Sequence, residues 1–461
     1  MSVSTPSSRP SASSSASPSV ADLVAATPAD RNRVVDLLRG AAILVVCLGH
    51  WLMAGVHVDG AGELRRTGLL GIATWTHPLT WVLQVMPVFF LVGGYANAIS
   101  WRGARARGTT YGGWLRARLR RLTIPLLPLM LFWAAVAPLA SALGVDGGTL
   151  RIASMASLVP TWFLAVYLLV VALTPLTLAL WERCGWWSVL GGAAVAGLVD
   201  LVSVGGDLLA VGFCNYLFVW GTVHQLGYAW RDGALPGAAH RLGLAAVGLV
   251  GLLLLVGVGP YGVSMVGVGG HGVDNSYPAR VTLLFLGLLQ AGVVTALEPA
   301  LARFAARPRV WAATVLVNAR IMTVYLWHLT ALGIVVGLSL ALGGVGLHLQ
   351  PGTGTWWATR PLWFAVLAAT TALLVTLLGR LEQPAPDPRP APPAVLPVAA
   401  LLATCAGLAV MADLGIADAD GTVNAWLPWV PLVAAVALGT VRLPAVRRRG
   451  DRSAPGGYLA P

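Results

Sequence analysis

The chain has 461 residues, of which 57% are hydrophobic and only 10% are charged, whereas soluble proteins carry about 25% charged residues. Water cannot solvate so much apolar surface, so the composition excludes an ordinary soluble enzyme and predicts an integral membrane protein. The net charge is +12, but the arginines lie in short loops between apolar stretches. This pattern is typical of membrane-orientation signals, so nucleic acid is not predicted as a partner.

Residues 1–28 form a tract rich in Ser, Pro and Ala, which predicts a disordered cytoplasmic tail. About twelve apolar stretches follow that are long enough to cross a bilayer, because a spanning helix needs about 20 apolar residues. The predicted fold is an all-α polytopic transmembrane helical bundle. The predicted spans are 34–56, 79–100, 121–143, 158–180, 186–205, 208–229, 241–258, 281–298, 316–342, 361–379, 394–412 and 424–441.

The arginines predict the orientation of these spans. The loop between the second and third spans is dense in arginine from Arg102 to Arg121, and the positive-inside bias assigns it to the cytoplasm. Successive loops lie on alternate sides of the membrane, so this assignment predicts a multi-pass protein of the cell (plasma) membrane with both termini in the cytoplasm.

The composition changes near the C-terminus. A Pro-rich linker at 383–393 (QPAPDPRPAPP) follows about ten spans, so residues 30–382 are interpreted as the functional body. Residues 394–442 contain the last two spans, which have almost no polar residue in their cores. They predict an appended membrane hairpin, and residues 443–461 predict an Arg-rich cytoplasmic tail.

The first span contains the strongest candidates for chemistry, Asp36, Arg39 and His50. Arg39 and His50 are eleven residues apart, so in a helix they share one face and lie about 16 Å apart along the axis. Ionisable groups inside a span are costly and are therefore functional candidates. The alternatives are that Asp36 and Arg39 form an ion pair that orients the span, and that His50 is a hydrogen-bonded packing residue.

Other polar residues in the spans have weaker signals. His328 lies midway along the ninth span and is the competing candidate for a catalytic base, or else an interhelical hydrogen-bonding residue. His224 and Gln225 lie at one end of the sixth span, where they could also be an interfacial polar pair. Uncharged polar groups are more typical of helix contacts than of ligand sites, and they comprise Tyr95, Asn97, Asn215 and Gln290.

Several segments in order resemble one family. RVVDLLRGAAILVVCLGHW (33–51) resembles the opening helix of the integral membrane acyltransferase-3 family, of the O-acetyltransferase type, whose hallmark is an Arg, ten residues and a His. MPVFFLVGGYANAISW (86–101) resembles its second helix, with FFLVGG where FFxxSG is more usual. The resemblance covers about residues 30–380. It continues through Arg118-Leu-Arg-Arg121 with Pro125, PTWFLAVYLL (160–169), VHQLGYAWRDG (223–233), NSYP (275–278), VYLWHL (324–329) and RPLW (360–363).

The resemblance implies transfer of an acyl group, acetyl by default, from cytoplasmic acyl-CoA to a hydroxyl of a sugar or another envelope or secreted acceptor. It implies functional roles for Arg39 and His50, with His50 as the general base, and Asp36 on the same helix face completes the predicted catalytic set. It also implies Arg118, Arg121 and His224 as residues that bind the acyl-CoA. The chemistry is compatible, because arginines make charge-assisted bonds to phosphate and histidine titrates near neutral pH.

Two other classes of function have weaker support in the sequence than an enzyme. A transporter or flippase of a lipid-linked glycan would also need many spans, but no internal repeat or matched pair of interrupted spans is evident. A scaffold without chemistry would not need the charged face of the first span. The four cysteines form no CxxC pair and no HExxH motif is present, so no metal site is predicted. The identity of the acceptor stays open.

Overall fold

Helices form nearly all of the structure. The computed structural model describes residues 20–25, 27–28, 31–267, 272–382, 390–418 and 422–437. The predicted tail at 443–461 lies outside these residues, as do most of the predicted tail at 1–28 and most of the linker at 383–393. Part of the N-terminal tail departs from the prediction of disorder, because residues Val20–Ala25 form a short helix, α1.

The first half of the bundle begins with α2 (Arg33–Met53), whose N-terminus is capped by the Asn32 side chain accepting from Val34 N. An antiparallel hairpin follows, formed by β1 (Ala54–Val58) and β2 (Leu64–Gly68). The next helices are α3 (Leu69–Ile72), a 3-10 helix (Thr74–Leu79), α4 (Thr80–Leu83), α5 (Met86–Ala106), α6 (Tyr111–Thr123), α7 (Leu126–Ala142), α8 (Gly147–Leu158), α9 (Pro160–Ala172) and α10 (Thr174–Cys184).

The second half is also helical, and irregular segments at 258–267 and 272–280 lie between two of its helices. Its elements are α11 (Trp186–Gly205), α12 (Leu209–Gly212), α13 (Asn215–Arg231), α14 (Ala238–Gly257), α15 (Val281–Ala305), α16 (Pro308–Ala319), α17 (Ile321–Ala341), α18 (Gly354–Leu378), a 3-10 helix (Gly379–Glu382), α19 (Val395–Leu414) and α20 (Trp429–Ala437).

The all-α polytopic bundle is confirmed, but the count of twelve spans stays a prediction. Among the described residues, eight helices are long and apolar enough to cross a membrane, or up to ten segments if each of two bent pairs is one span. The bent pairs are α6–α7 (50°) and α8–α9 (42°). The predicted span 208–229 is divided into α12 and the 17-residue α13, and only 424–437 of the last predicted span is described.

Prolines explain the two bends. Pro125 separates α6 from α7, and Pro160 is the first residue of α9. Proline has no backbone N–H and its ring clashes with the preceding turn, so a helix entering a proline bends or ends. The first bend makes α6 a separate arginine-rich helix instead of the beginning of a straight span.

The surface of the bundle is apolar. Leu362, Leu373 and Leu377 on α18 are each more than half exposed, and such a surface on a helix of 25 residues is suited to lipid rather than water. Inside, α5 and α13 approach closely, because a Cβ on Gly227 would lie 2.2 Å from the Leu91 carbonyl oxygen. Small residues at such contacts are typical of helices packed in membranes.

The predicted appended hairpin is packed into the body. Leu401 and Leu408 on α19 belong to the main hydrophobic core, and the Thr161 hydroxyl on α9 donates to Leu408 O at 3.1 Å. The Tyr277 hydroxyl, which precedes α15, donates to Asp413 Oδ1 at 2.7 Å. The boundary at the Pro-rich linker stays a prediction, but α19 is not structurally independent of the residues before it.

The two ends of the bundle have different composition. We call the end where α2 begins and α5 finishes the arginine end, and the end that carries β1 and β2 the hairpin end. At the arginine end, Arg102 binds Asp232 at 2.6 Å and Glu182 at 2.9 Å. The hydrogen bond from Arg102 lowers the pKa of Asp232.

Candidate active site

Two histidines from α2 and α17 form a hydrogen-bonded pair inside the bundle. His50 Nδ1 lies 2.8 Å from His328 Nε2, and the two ring planes differ by only 9°. His328 is fully buried and His50 is half-buried. The Trp51 indole N–H donates to His328 O at 3.0 Å, which joins α2 to α17 at this level. The two residues predicted as competing bases are therefore partners.

The hydrogen bonds around the pair determine which nitrogen is free. His328 Nδ1 lies 2.6 Å from Tyr325 O, and a carbonyl only accepts, so Nδ1 carries a proton. In a neutral imidazole the other nitrogen, Nε2, must then accept, so it receives a hydrogen bond from His50 Nδ1–H. This assignment follows from the network and leaves the lone pair on His50 Nε2 available to act as a base.

A second cluster lies nearer the N-terminus of α2. Arg39 Nη2 binds Asp36 Oδ1 at 2.9 Å, and Arg39 Nε donates to Asn318 Oδ1 at 2.8 Å. The Asn318 amide donates in turn to Asp36 O at 2.9 Å. A Cβ on Gly40 would lie 3.3 Å from Asn318 Nδ2, so the glycine after Arg39 lets α16 approach. Asp36 and Asn318 together hold the guanidinium in place.

The two clusters support the spacing predicted from the sequence. On α2, Arg39 and His50 are eleven residues apart, and their partners Asn318 and His328 are ten residues apart. The separation on α2 corresponds to about 16 Å of helix, and the α16–α17 segment, which is broken at Arg320, contacts α2 at both levels. Asp36 lies about 21 Å along α2 from His50. Asp36 contacts Arg39 and not the histidines, so it is placed to position the guanidinium, and its role in catalysis stays a prediction.

Arginines of α6 lie near the same cluster. Arg118 donates to the Ser100 hydroxyl and lies 6.0 Å from the Trp114 ring centroid. Arg121 is exposed and has no hydrogen bond or ion pair within the described part of the chain. Tyr167 on α9 is within electrostatic range of Arg39, Arg118 and Arg121. Three guanidinium groups therefore gather near one phenol, and the described carboxylates bind only one of the three, Arg39.

His224, which was predicted to bind the donor, lies inside the bundle, and that role stays a prediction. It is fully buried, and its Nε2 accepts from Asn97 Nδ2 at 3.1 Å. Asn97 also interacts with Tyr167, which is within electrostatic range of the arginines. The close packing of α5 on α13 produces this contact. The geometry favours a role for His224 in positioning Asn97 and Tyr167.

The comparison with known families covers most of this helical bundle. A family model for acyltransferase-3, described as an acyltransferase domain, matches residues 32–380. The chain belongs to the acyltransferase-3 family. No curated protein and no solved structure matches it.

Membership of the acyltransferase-3 family identifies the protein as a membrane acyltransferase. The match includes His50, His328 and the arginines of α6, and it ends before α19. The helices α19 and α20 therefore lie outside the family domain in sequence, although α19 packs against it.

Some residues of the site had little signal in the sequence. Tyr325 and His328 lie in one quoted segment, VYLWHL, and their spacing of three is one helical turn, which could have indicated the contact. Tyr167 lies in another, PTWFLAVYLL, but nothing distinguished it from its apolar neighbours. Asn318 lies in none of the segments that resemble the family, so its bond to Arg39 could not be predicted.

Proposed function

We propose that this acyltransferase transfers an acyl group, acetyl by family resemblance, from acyl-CoA to a hydroxyl of a sugar or another envelope or secreted acceptor. The acyl-CoA binds at the arginine end, which faces the cytoplasm of a cell with this protein in its plasma membrane. The observation that supports the proposal best is the oriented His50–His328 pair, held on the same face of α2 as Arg39.

The donor is expected to bind by its charged groups. The phosphates of acyl-CoA cannot enter lipid, whereas Arg118, Arg121 and Arg39 can offer forked, charge-assisted donors. Arg121 is exposed and unpaired in the described part of the chain, so binding a phosphate would not break an ion pair. The roughly 16 Å from Arg39 to His50 is comparable to an extended pantetheine arm, which carries the thioester towards the histidines.

The chemical step needs one base and one leaving group. His50 Nε2 accepts the proton of the acceptor hydroxyl while the oxygen attacks the thioester carbonyl carbon. The carbon–sulfur bond then breaks, and the thiolate of CoA takes the proton from the His50 imidazolium. Atoms and charges balance, and the products are the acyl ester and free CoA. A base at this position is worth about 10²–10⁴-fold in rate.

His328 supports this step without touching the substrate. Its Nε2 accepts from His50 Nδ1–H, and its own Nδ1–H is bound by Tyr325 O. These two hydrogen bonds keep His50 in the tautomer with a free Nε2 and stabilise the imidazolium that forms. His328 is therefore a positioning residue, whereas His50 is the catalytic residue.

The test compares cells that express the wild-type protein with cells that express His50→Ala at matched membrane levels. We expect envelope or secreted glycans to gain the mass of an acyl group only with the wild-type protein. A matched control is His240→Ala, because His240 is exposed and lies outside the site. Normal acylation by His50→Ala would overturn the proposal, and so would a protein that moves a glycan across the membrane without acylating it.

A further inference from the structure

Two arginines are more than nine-tenths buried in the part of the chain that the structure describes, Arg280 and Arg360. Arg280 has the partners that a buried cation needs, with Asp200 Oδ1 at 3.3 Å and Ser203 Oγ at 2.9 Å. Arg360 has no ion pair with any described carboxylate, although it is only 6% exposed. A buried charge without a counter-ion is costly, so the environment of Arg360 requires an explanation.

The guanidinium of Arg360 lies close to two aromatic rings. Its central carbon lies 4.3 Å from the Trp356 ring centroid and 5.4 Å from the Trp363 ring centroid. Its Nε donates to Trp356 O at 3.2 Å. The described residues offer no hydrogen-bond acceptor to the two terminal nitrogens. Contact with aromatic rings uses none of the N–H groups of a guanidinium, so they stay free to bind an anion.

The neighbouring polar atoms are also donors. The indole nitrogens of Trp356 and Trp363 are buried, and neither has a hydrogen-bond partner within the described residues. Leaving a buried donor unpaired costs free energy. A cation and two unpaired N–H groups therefore gather on one helix, and all of them would be satisfied by oxygen acceptors that carry negative charge.

This group of three residues lies next to the histidine pair, towards the hairpin end. Trp356 packs in a small apolar cluster with Leu52, and the Phe364 ring lies 6.4 Å from the Trp51 ring. Trp51 and Leu52 directly follow His50 on α2. Arg360 lies between Trp356 and Phe364 on α18, so it is held at the level where α2 passes beyond His50.

We propose that Arg360, Trp356 and Trp363 form a binding site for an oxyanion, either a phosphate or a carboxylate. The anion can come from the headgroup of an acidic lipid or from the acyl acceptor itself. In the second case, which rests on the proposed function, the acceptor is an anionic molecule such as a phosphorylated or acidic sugar, held on the opposite side of His50 from the acyl-CoA.

The test measures binding to the full-length protein in detergent, with no acyl-CoA present, so that its outcome does not depend on acyl transfer. In one arm, native mass spectrometry measures the affinity for phosphatidylglycerol, with phosphatidylcholine as the zwitterionic reference. In the other arm, the thermal shift measures the affinity for glucose 1-phosphate and for glucuronate. Arg360→Gln should weaken binding at least about tenfold in one arm. Arg65→Gln is the control, because Arg65 is exposed in the β-hairpin and pairs with Asp59.

Each result has a defined meaning. Loss of affinity in the lipid arm identifies a headgroup site, and loss in the soluble arm identifies an anionic acceptor. If Arg360→Gln fails to fold, Arg360→Lys retains the charge but loses the forked donors, so it should bind about tenfold more weakly than the wild type. The proposal is overturned if wild-type protein binds none of the anions in preference to phosphatidylcholine, or if the Arg360 variants bind them as tightly as wild type.

Discussion

The two ends of the shared face of α2 are built from different chemistry. Near the N-terminus, Arg39 is held by the carboxylate of Asp36 and the amide of Asn318, and Arg118 and Arg121 lie nearby. About 16 Å further along the helix, His50 is bonded to a second imidazole. The first cluster fixes charge at a partly exposed position, and the second fixes the direction of a lone pair.

The difference indicates how one helix can bind a charged donor at one position and hold a neutral base for proton transfer at another. A cation is suited to hold phosphate where water and ions have access. A base is most effective when it is neutral before the reaction and its free nitrogen points at the proton to be removed. Separating the two groups along a rigid helix keeps the guanidinium charge away from the imidazole that must accept a proton.

The largest expected effect is at the histidine pair. His50→Ala should lower the turnover of acyl-CoA by about 10²–10⁴-fold, while KM for acyl-CoA changes little because the arginines are intact. The double variant His50→Ala/His328→Ala should be no slower than His50→Ala, because His328 acts through His50. The measurement is the release of free CoA by purified protein. A double variant that is much slower than either single variant would mean that the histidines act independently.

A smaller effect is expected for the positioning histidine. His328→Ala should lower turnover by about 10–100-fold, by analogy with the loss of a group that orients a metal-binding histidine. His328→Gln should recover part of that loss, because its amide oxygen can accept from His50 Nδ1–H. Turnover is measured for both variants at equal membrane levels. Equal turnover of the two variants would show that His328 fills space and does not orient His50.

The arginine end should respond in KM instead of kcat. Arg118→Ala with Arg121→Ala should raise KM for acyl-CoA by roughly tenfold or more, since a charge-assisted bond to phosphate is worth about 1.5–3 kcal/mol. Arg105→Ala is the matched control, because Arg105 lies at the same end but pairs with Glu182. Insertion and orientation are checked in parallel. An unchanged KM in a correctly inserted variant would leave these arginines as orientation signals only.

The smallest effect concerns the scaffold at the arginine end. Because the hydrogen bond from Arg102 lowers the pKa of Asp232, the unfolded state takes up a proton first as pH falls. The stabilisation is therefore complete above the ordinary aspartate value of about 4 and is lost as pH falls below it. Asp232→Asn should melt about 1–3 °C lower at neutral pH, with a difference that disappears in acid. A difference that persists at low pH would contradict this origin.

Sequence patterns predicted the parts of the molecule that depend on composition and spacing. The apolar stretches gave the helical bundle, and the interval from Arg39 to His50 gave their shared face. The partners of these residues could not be predicted, because His328 and Asn318 contact α2 from helices that are distant in the sequence. The packing of α19 was also hidden, since an apolar helix has the same composition whether Leu408 faces lipid or another helix. No proline or glycine in the sequence marks the break at Arg320, which separates α16 from α17.

The measurement that tests the central claim most directly is the protonation of His50 in the intact protein. Protein labelled with ¹⁵N-histidine in lipid nanodiscs is studied by NMR near neutral pH, and the His50 signals are assigned by their loss in His50→Ala. The account predicts a neutral ring with a proton on Nδ1, an unprotonated Nε2, and a coupling from that proton to His328 Nε2. A proton on Nε2 of a neutral His50, or a doubly protonated ring, would contradict it.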